Sequence, residues 1–512
     1  MRDFQLPGRS PVRTTGVMAA TSHPLSTHAA LEMLRAGGNA VDAAICASAV
    51  QAVVEPQSTG IGGDCFVLYC PDGTDKVIAF NGSGRAPGAA SIERFRAMGM
   101  EEVPTYGPHS VSVPGAIDAW DRLIRDHGRK TLAEVIAPAI HYAENGYVVH
   151  DRVAFDWREA KALLEQDIHS AAIFLREGRA LEACETHVQP ALAATLRRVA
   201  ELGRRGFYEG PVAEAIVARL QELGGLHSLD DFAAMRCDYV TPDSIDYRGY
   251  RVHQMPPNNQ GLTALLALNI LAQDDLSSLE PHGARRFHLE VEAARLAYRE
   301  RDSRLGELDR SSPVIEALLS KDHAAGLRRK ISMERAMTDL PEVELKRSDT
   351  VYISVVDEDR NAISFINSTY HSFGSGITCP STGVVLQNRA SSFRMDPNHP
   401  NALAPGKRPM HTIMPGMLTR AGRAVMPFGV MGGDYQPMGH VHFLTNVLDF
   451  GMMCSQRSIV PASSIARAVS RRKEAFPTPL QGNCGRSDTR WRKRKNLLGA
   501  GKPFGSTGNW VR

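Results

Sequence analysis

Lys346-Arg347-Ser348-Asp349-Thr350-Val351-Tyr352-Ile353-Ser354-Val355-Val356-Asp357 is the stretch where the chain changes character. Ahead of it, residues 328–347 are charged and carry little helix or strand signal. Behind it, apolar and polar residues alternate in short runs, which predicts strands over 350–356, 361–367 and 383–386. Asp357-Glu358-Asp359, Gly374-Ser375-Gly376 and Ser381-Thr382-Gly383 supply tight turns between them. A threonine thus opens the first strand of a β-rich region directly after a polar linker. Taken alone, Thr350 is a β-branched residue in a favourable place, and any chemistry it carries depends on the rest of the chain.

Toward the N-terminus, Leu31, Leu34, Val41, Ala44, Ile45, Ala49 and Val53 recur at helical spacing, and Gly37-Gly38 divides the run into two helices. Residues 65–69 and 76–80 read as strands around Pro71-Asp72-Gly73, a hairpin signal. From 117 to 300 the pattern is mainly helical, with apolar stripes over 193–202, 213–223 and 287–299. Pro256-Pro257-Asn258-Asn259 forms a loop before a helix over 262–271. Helices first and strands afterwards imply an α+β fold with layered αββα order, not a βαβ alternation.

Composition narrows the class further. At 512 residues, 22% charged and 43% hydrophobic, the chain can bury more than one ordinary core, a composition that fits a folded protein. Its 44 Gly and 30 Pro follow no period, which excludes collagen-like and low-complexity classes. The most apolar run, 43–54, is short and interrupted by Ser48 and Gln51, so no membrane span is expected. Residues 1–24 hold Arg2, Arg9 and Arg13 but no apolar run before a small-residue cleavage site. Eight sparse cysteines, of which only Cys65 and Cys70 are close and those without zinc or redox spacing, suit a reducing compartment. The expectation is a cytoplasmic protein.

Charge is divided unevenly. Residues 455–512 hold 13 Lys/Arg against Glu474 and Asp488, net +11, whereas residues 1–454 are net −8. Such a tail could attract nucleic acid or an anionic membrane through counterion release. No aromatic platform or nucleic-acid motif accompanies it, so a solvated extension without either partner is expected. His440-Val441-His442 offers two imidazoles, but residues two apart on a helix diverge, and no metal is expected. Gly60-Ile61-Gly62-Gly63-Asp64 lacks the Lys-Ser/Thr ending of a phosphate loop, so no nucleotide or other cofactor is implied.

Several segments stand in the order of a known family's signatures. They are Gly37-Gly38-Asn39-Ala40-Val41-Asp42-Ala43-Ala44, Val54-Glu55-Pro56-Gln57-Ser58-Thr59-Gly60-Ile61-Gly62-Gly63, Val113-Pro114-Gly115, residues 256–261 and Glu292-Ala293-Ala294-Arg295-Leu296-Ala297-Tyr298. Thr350 with Ser354-Val355-Val356-Asp357, Lys407-Arg408-Pro409 and Gly432-Gly433 complete the series. Over about 16–453 the chain resembles the gamma-glutamyltransferase family of N-terminal-nucleophile hydrolases. The resemblance implies a four-layer αββα sandwich formed by both products of self-cleavage between Asp349 and Thr350. A large subunit, 1–349, would be mostly helical, and a small subunit, 350–512, would begin at the nucleophile and end in the divergent basic tail.

In that class the cut places a hydroxyl and a fresh α-amine on one residue. An α-amine titrates near pH 8, so its neutral form can take the proton of the adjacent Oγ. The resemblance makes Thr350 nucleophile and base, Gly432 and Gly433 the backbone oxyanion hole, and Ser368 the hydroxyl that hydrogen-bonds the nucleophile. It also exposes departures. Where gamma-glutamyl enzymes grip the α-carboxylate and α-amine with an Arg, an Asn, an acidic pair and a Ser-Ser, this chain has Ser83, Tyr370, Ser391-Ser392 and His411-Thr412. A substrate ammonium without an acidic partner costs several kcal/mol to desolvate.

The chain is therefore similar to the oxamate amidohydrolases and their gamma-glutamyltransferase-like relatives. Arg85 is the expected holder of a substrate carboxylate, His411 the expected partner of the acyl group or leaving amide, with Thr412 and Tyr370 beside them. The expected activity is hydrolysis of a small carboxylate-bearing amide through an acyl-threonine. Glutathione hydrolysis or transpeptidation and the cleavage of glutaryl-cephalosporins by an acylase are the alternatives within the family. An unprocessed relative that binds an anionic partner through its tail is the non-enzymatic one. After about 453 the family's closing elements find no match here, and the oligomeric state, including any higher oligomer, stays open.

Overall fold

The computed structural model describes residues 12–338, 340 and 350–452. The basic tail 455–512 and the residues on the N-terminal side of Thr350, 341–349, lie outside that set. Ten strands make two antiparallel sheets. In chain order they are β1 (Met18–Ala20), β2 (Asp64–Cys70), β3 (Ile78–Gly82), β4 (Asp238–Val240), β5 (Asp243–Tyr247), β6 (Tyr250–Gln254), β7 (Val351–Val356), β8 (Ala362–Ser368), β9 (Gly416–Arg420) and β10 (Arg423–Phe428). The larger sheet runs β1-β7-β8-β2-β3-β4 and the smaller β10-β9-β6-β5.

The two expected N-terminal helices are α1 (Pro24–Arg35) and α2 (Ala40–Val54). Gly37 turns between them at φ +87°. Asn39 caps α2 reciprocally with Asp42, so the start of α2 has its orphan donors satisfied. Every residue of α2 is buried, as expected of a helix apolar all round. It shares a core with Val67, Ile353, Val355, Ile363 and Phe365 of the large sheet. The opposite face of that sheet presents Phe66, Leu68 and Ile366 to Met255, Ile413 and Met417 of the smaller-sheet side. A third core joins Ile245, Val252 and Leu418 to α3 (Gly261–Leu271) and α4 (Ala284–Arg304).

The region read as mainly helical contains a hairpin, β5–β6, that spacing alone did not reveal. Its turn is Arg248-Gly249, both at positive φ, 51° and 78°. An Arg in that position carries none of the usual Asn-Gly or Asp-Gly signature. The hairpin β9–β10 turns the same way at Ala421-Gly422.

Close backbone approach fixes the loop after β3. A Cβ on Gly84 would lie 1.7 Å from the Val113 carbonyl oxygen, which no side-chain adjustment relieves. Gly84→Ala should cost about 2–4 kcal/mol, read as a lower melting temperature. Because the Gly84 N–H also bonds Asp64, activity should fall with it.

Candidate active site

The end of the large sheet aligns polar residues. Val351 of β7 lies opposite Asn367 of β8, and continuing this register by one residue sets Thr350 level with Ser368. Ser368 in turn pairs with Asp64 on β2, and Cys65 pairs with Gly82, so Asp64 is level with Ser83. Side chains in one antiparallel row share a face. Thr350, Ser368, Asp64 and Ser83 therefore point to the side of Phe66 and Leu68, between the sheets, and all four are buried. The Ser368 Oγ accepts the Tyr370 N–H at 2.9 Å.

Asp64 is the anchor of this row. Its Oδ1 accepts from the N–H groups of Gly84 (2.8 Å) and Gly115 (3.1 Å) and from Gln387 Nε2 (2.9 Å). Its Oδ2 receives His411 Nε2 at 3.0 Å. Burial pushes the His411 imidazole down to about 3; the Arg389 charge acts in the same direction, and the bond to Asp64 opposes both. His411 is therefore neutral. Its Nε2–H donates to the carboxylate, and Nδ1 is left a bare acceptor without a partner. Phe66 packs edge-on against the ring, centroids 4.7 Å apart.

The second half of the site is the loop after β10. Gly429 lies against the Tyr352 ring, two residues beyond Thr350, with no room for a Cβ. The loop then passes Gly432 at φ +124° and Gly433 at φ +55° into the helix α5 (Gln436–Leu448). Among the described residues neither the Gly432 nor the Gly433 N–H finds a backbone acceptor. Both glycines hold positive-φ conformations that favour glycine, and Gly433 is buried.

Buried residues hold this loop. Gln260 Nε2 bridges the Thr412 carbonyl (2.8 Å) and the Gly433 carbonyl (3.1 Å). Arg301 Nη1 bonds both Gln260 Oε1 and Asp434 Oδ1 at 2.8 Å. Burial works against the Arg301 charge, but Asp434 and Asp302 outweigh it and keep the guanidinium firmly protonated. Tyr298 O–H donates to the Asp434 carbonyl at 2.5 Å.

Other expected site residues are distributed as follows. Thr412 accepts from Arg389 Nη1 at 2.9 Å, and the Tyr370 ring lies 3.7 Å from the Arg389 guanidinium carbon. Burial raises the Tyr370 phenol to about 12. Tyr370, Ser391, Ser392, Met410, Arg301 and Asp434 line a cleft of about 810 Å³. Arg85 faces elsewhere: Nη1 pairs with Glu307 at 3.2 Å and bonds the Gly406 carbonyl, and Asp238 lies 3.8 Å from Nη2.

Asp64 and Arg389 were not read as site residues from sequence. Asp64 belonged to a glycine run dismissed as a phosphate loop. The signal for Arg389 is a cation three residues beyond the apolar run Val384-Val385-Leu386. His440 and His442 engage separate elements, Gln254 at 3.0 Å and Glu290 at 3.0 Å. Among the described residues no group of His, Cys, Asp or Glu is placed to hold a metal ion, and no helix is long and apolar enough to cross a membrane.

A buried hydroxyl at a strand start, and a glycine loop packed against the same strand at Tyr352, are features that an acyl-transferring hydrolase can use. The family model described as gamma-glutamyltranspeptidase matches residues 26–469, and the chain belongs to that family. It is 40% identical to the glutathione hydrolase-like YwrD proenzyme of Bacillus subtilis, over 86% of this chain and 83% of the relative. To the oxamate amidohydrolase proenzyme of Klebsiella pneumoniae it is 35% identical, with the same two coverages of 86% and 83%. The crystal structure of a cephalosporin acylase from Bacillus halodurans superposes with a TM-score of 0.83 at 39% identity, covering 92% of this chain and 91% of that one. Like these relatives, the chain is an enzyme, an amidohydrolase or acyltransferase of the N-terminal-nucleophile kind.

Proposed function

We propose that the chain is a precursor that cuts its own Asp349–Thr350 bond and then hydrolyses small carboxylate-bearing amides, oxamate-like, through an acyl-Thr350 intermediate. The two products, 1–349 and 350–512, stay together, and helices on the outer faces of the two sheets complete a four-layer αββα sandwich. The observation that carries the reading is the joint placement of Thr350 on the Asp64–Ser368 row and of the Gly432 and Gly433 donors on the loop packed against Tyr352.

In the first half-reaction the Thr350 α-amine takes the Oγ proton as Oγ attacks the amide carbon. The Gly432 and Gly433 N–H groups bind the oxyanion. Collapse of the tetrahedral intermediate breaks the C–N bond, the amine proton passes to the leaving nitrogen, and the acyl group remains as an ester on Oγ. Water, deprotonated by the same α-amine, then attacks the ester and releases the carboxylic acid. Ser368 orients the nucleophile. His411, an acceptor at Nδ1, suits a substrate amide N–H better than its carbonyl. Six cysteines among the described residues are free of disulfides, which supports a reducing, cytoplasmic setting.

Ammonia release from oxamate, set against p-nitroaniline release from a gamma-glutamyl anilide, tests the substrate. Oxamate should be favoured at least about tenfold in kcat/KM, because the anilide's ammonium meets no acidic partner at Ser391-Ser392. Equal rates, or turnover of the anilide alone, would return the chain to the gamma-glutamyl enzymes. The cleft beside Ser391 and Ser392 favours one second reading, cleavage of a glutaryl amide with a bulky amine, which the same assay detects with a glutaryl anilide.

A further inference from the structure

Among the described residues no acidic side chain forms an ion pair with Arg389; Asp64 and Asp434 act on its charge only from farther away, and burial outweighs them. Arg389 is fully buried. Nη1 is bound to Thr412, and the Tyr370 ring covers one face of the guanidinium, but Nε and Nη2 have no hydrogen-bond partner. These two nitrogens share one edge of the guanidinium. Their parallel N–H bonds form the fork that receives both oxygens of a carboxylate. A buried cation with its fork empty is strongly unfavourable for the fold alone, so the position is explained by an anion that arrives later.

The surroundings say which anion. Thr412, which holds Nη1, is tied through Gln260 to the Gly433 carbonyl of the oxyanion loop. Tyr370, which covers the face, is tied by its N–H to Ser368 beside the nucleophile. Arg389 thus links the two halves of the site on their buried side, while the open cleft takes what leaves. Tyr370 is held at φ +82°, and Nε and Nη2 present no accessible surface, so the ligand enters as the ring gives way. Arg85 cannot compete, since Glu307 and Asp238 already neutralise it.

We infer that Arg389 seats the carboxylate on the acyl side of the substrate, which makes the enzyme selective for half-amides of short dicarboxylic acids. This rests on the acyl-Thr350 reading above and names the residue that sets its specificity. The test uses cleaved wild type, Arg389→Met and Arg389→Lys. Ammonia release is measured from oxamate and from oxamide, its neutral diamide, and binding of oxalate, succinate and glutarate is followed by calorimetry and thermal shift.

In Arg389→Met the oxamate-to-oxamide ratio of kcat/KM should fall about 100-fold, mainly through KM, and the dicarboxylate-induced rise in melting temperature should vanish. Arg389→Lys keeps the charge without the fork and should recover no more than about a tenth of the lost selectivity. The ligand-free Arg389→Met enzyme should melt no lower than wild type. Equal losses on both amides, undiminished dicarboxylate binding, or failure of both variants to fold and mature would each overturn the inference. Should wild type bind dicarboxylates through Arg389 yet cleave neither amide, the proposed reaction falls and the seat stands.

Discussion

Thr350→Ala will be recovered as one 512-residue polypeptide, whereas the wild-type chain will separate on a denaturing gel into fragments of 349 and 163 residues. The physical reason is that one oxygen does two jobs. In the precursor the Thr350 nitrogen is an amide, and Oγ attacks the Asp349 carbonyl. The acyl group moves from nitrogen to oxygen, water cleaves the resulting ester, and the α-amine is freed. Without Oγ neither the cut nor the later acyl-enzyme can form, and amide turnover should fall by about 10⁴-fold or more. Removing one buried hydroxyl and methyl should cost the fold only about 1 kcal/mol, so an unchanged far-ultraviolet circular dichroism spectrum separates lost chemistry from lost structure. A variant that still yields two fragments and still releases ammonia would remove the basis of the mechanism.

The same residue sets the pH dependence. An α-amine is protonated below about pH 8, and only its neutral form can accept the Oγ proton. The wild-type kcat/KM should therefore rise with pH through the neutral range and level off once the amine is deprotonated. His411 does not contribute a limb there, because burial holds it neutral down to about pH 3. Thr350→Ser should mature and keep the same rising limb.

Much of this was legible in sequence because it is local. Gly37-Gly38 breaks a helical run, Asp357-Glu358-Asp359 turns a strand, and Thr350 opens one; each signal lies within a few residues. The hairpin β5–β6 escaped because its turn uses Arg248 at positive φ, a conformation the surrounding fold imposes on a residue that does not favour it. Asp64 and Arg389 escaped for a different reason. Their importance comes from tertiary partners: His411, more than three hundred residues on, for the one, and Thr412 and Tyr370, beyond the reach of any local pattern, for the other. Arg85, by contrast, looked available until Glu307 was brought beside it by more than two hundred intervening residues. A residue type and its neighbours announce a capacity for chemistry, and only the tertiary partners decide whether that capacity is already occupied.

Gly432→Ala should lower kcat by about 10²- to 10³-fold with KM little changed, the loss expected when an oxyanion donor is misplaced by about 3–4 kcal/mol. Steric room is not the obstacle, since a Cβ there would meet nothing closer than Tyr435 Cδ1 at 3.4 Å. The obstacle is φ +124°, which an L-residue adopts only at considerable cost. The peptide would relax, and the Gly432 and Gly433 N–H groups would turn away from the proposed oxyanion. Arg301, Gln260 and Tyr298 grip the loop from its other side through Asp434 and the Gly433 carbonyl, so the disturbance should stay local and the melting temperature should move little. Rates are to be normalised to the cleaved fraction on a gel, which keeps any effect on maturation apart from turnover. The pH profile should keep its wild-type position, because the base is untouched and only the stabilisation of the charged intermediate is lost. A rise in KM at constant kcat would mean that the glycine pair binds the ground state, and the oxyanion would then have to be placed elsewhere in the site.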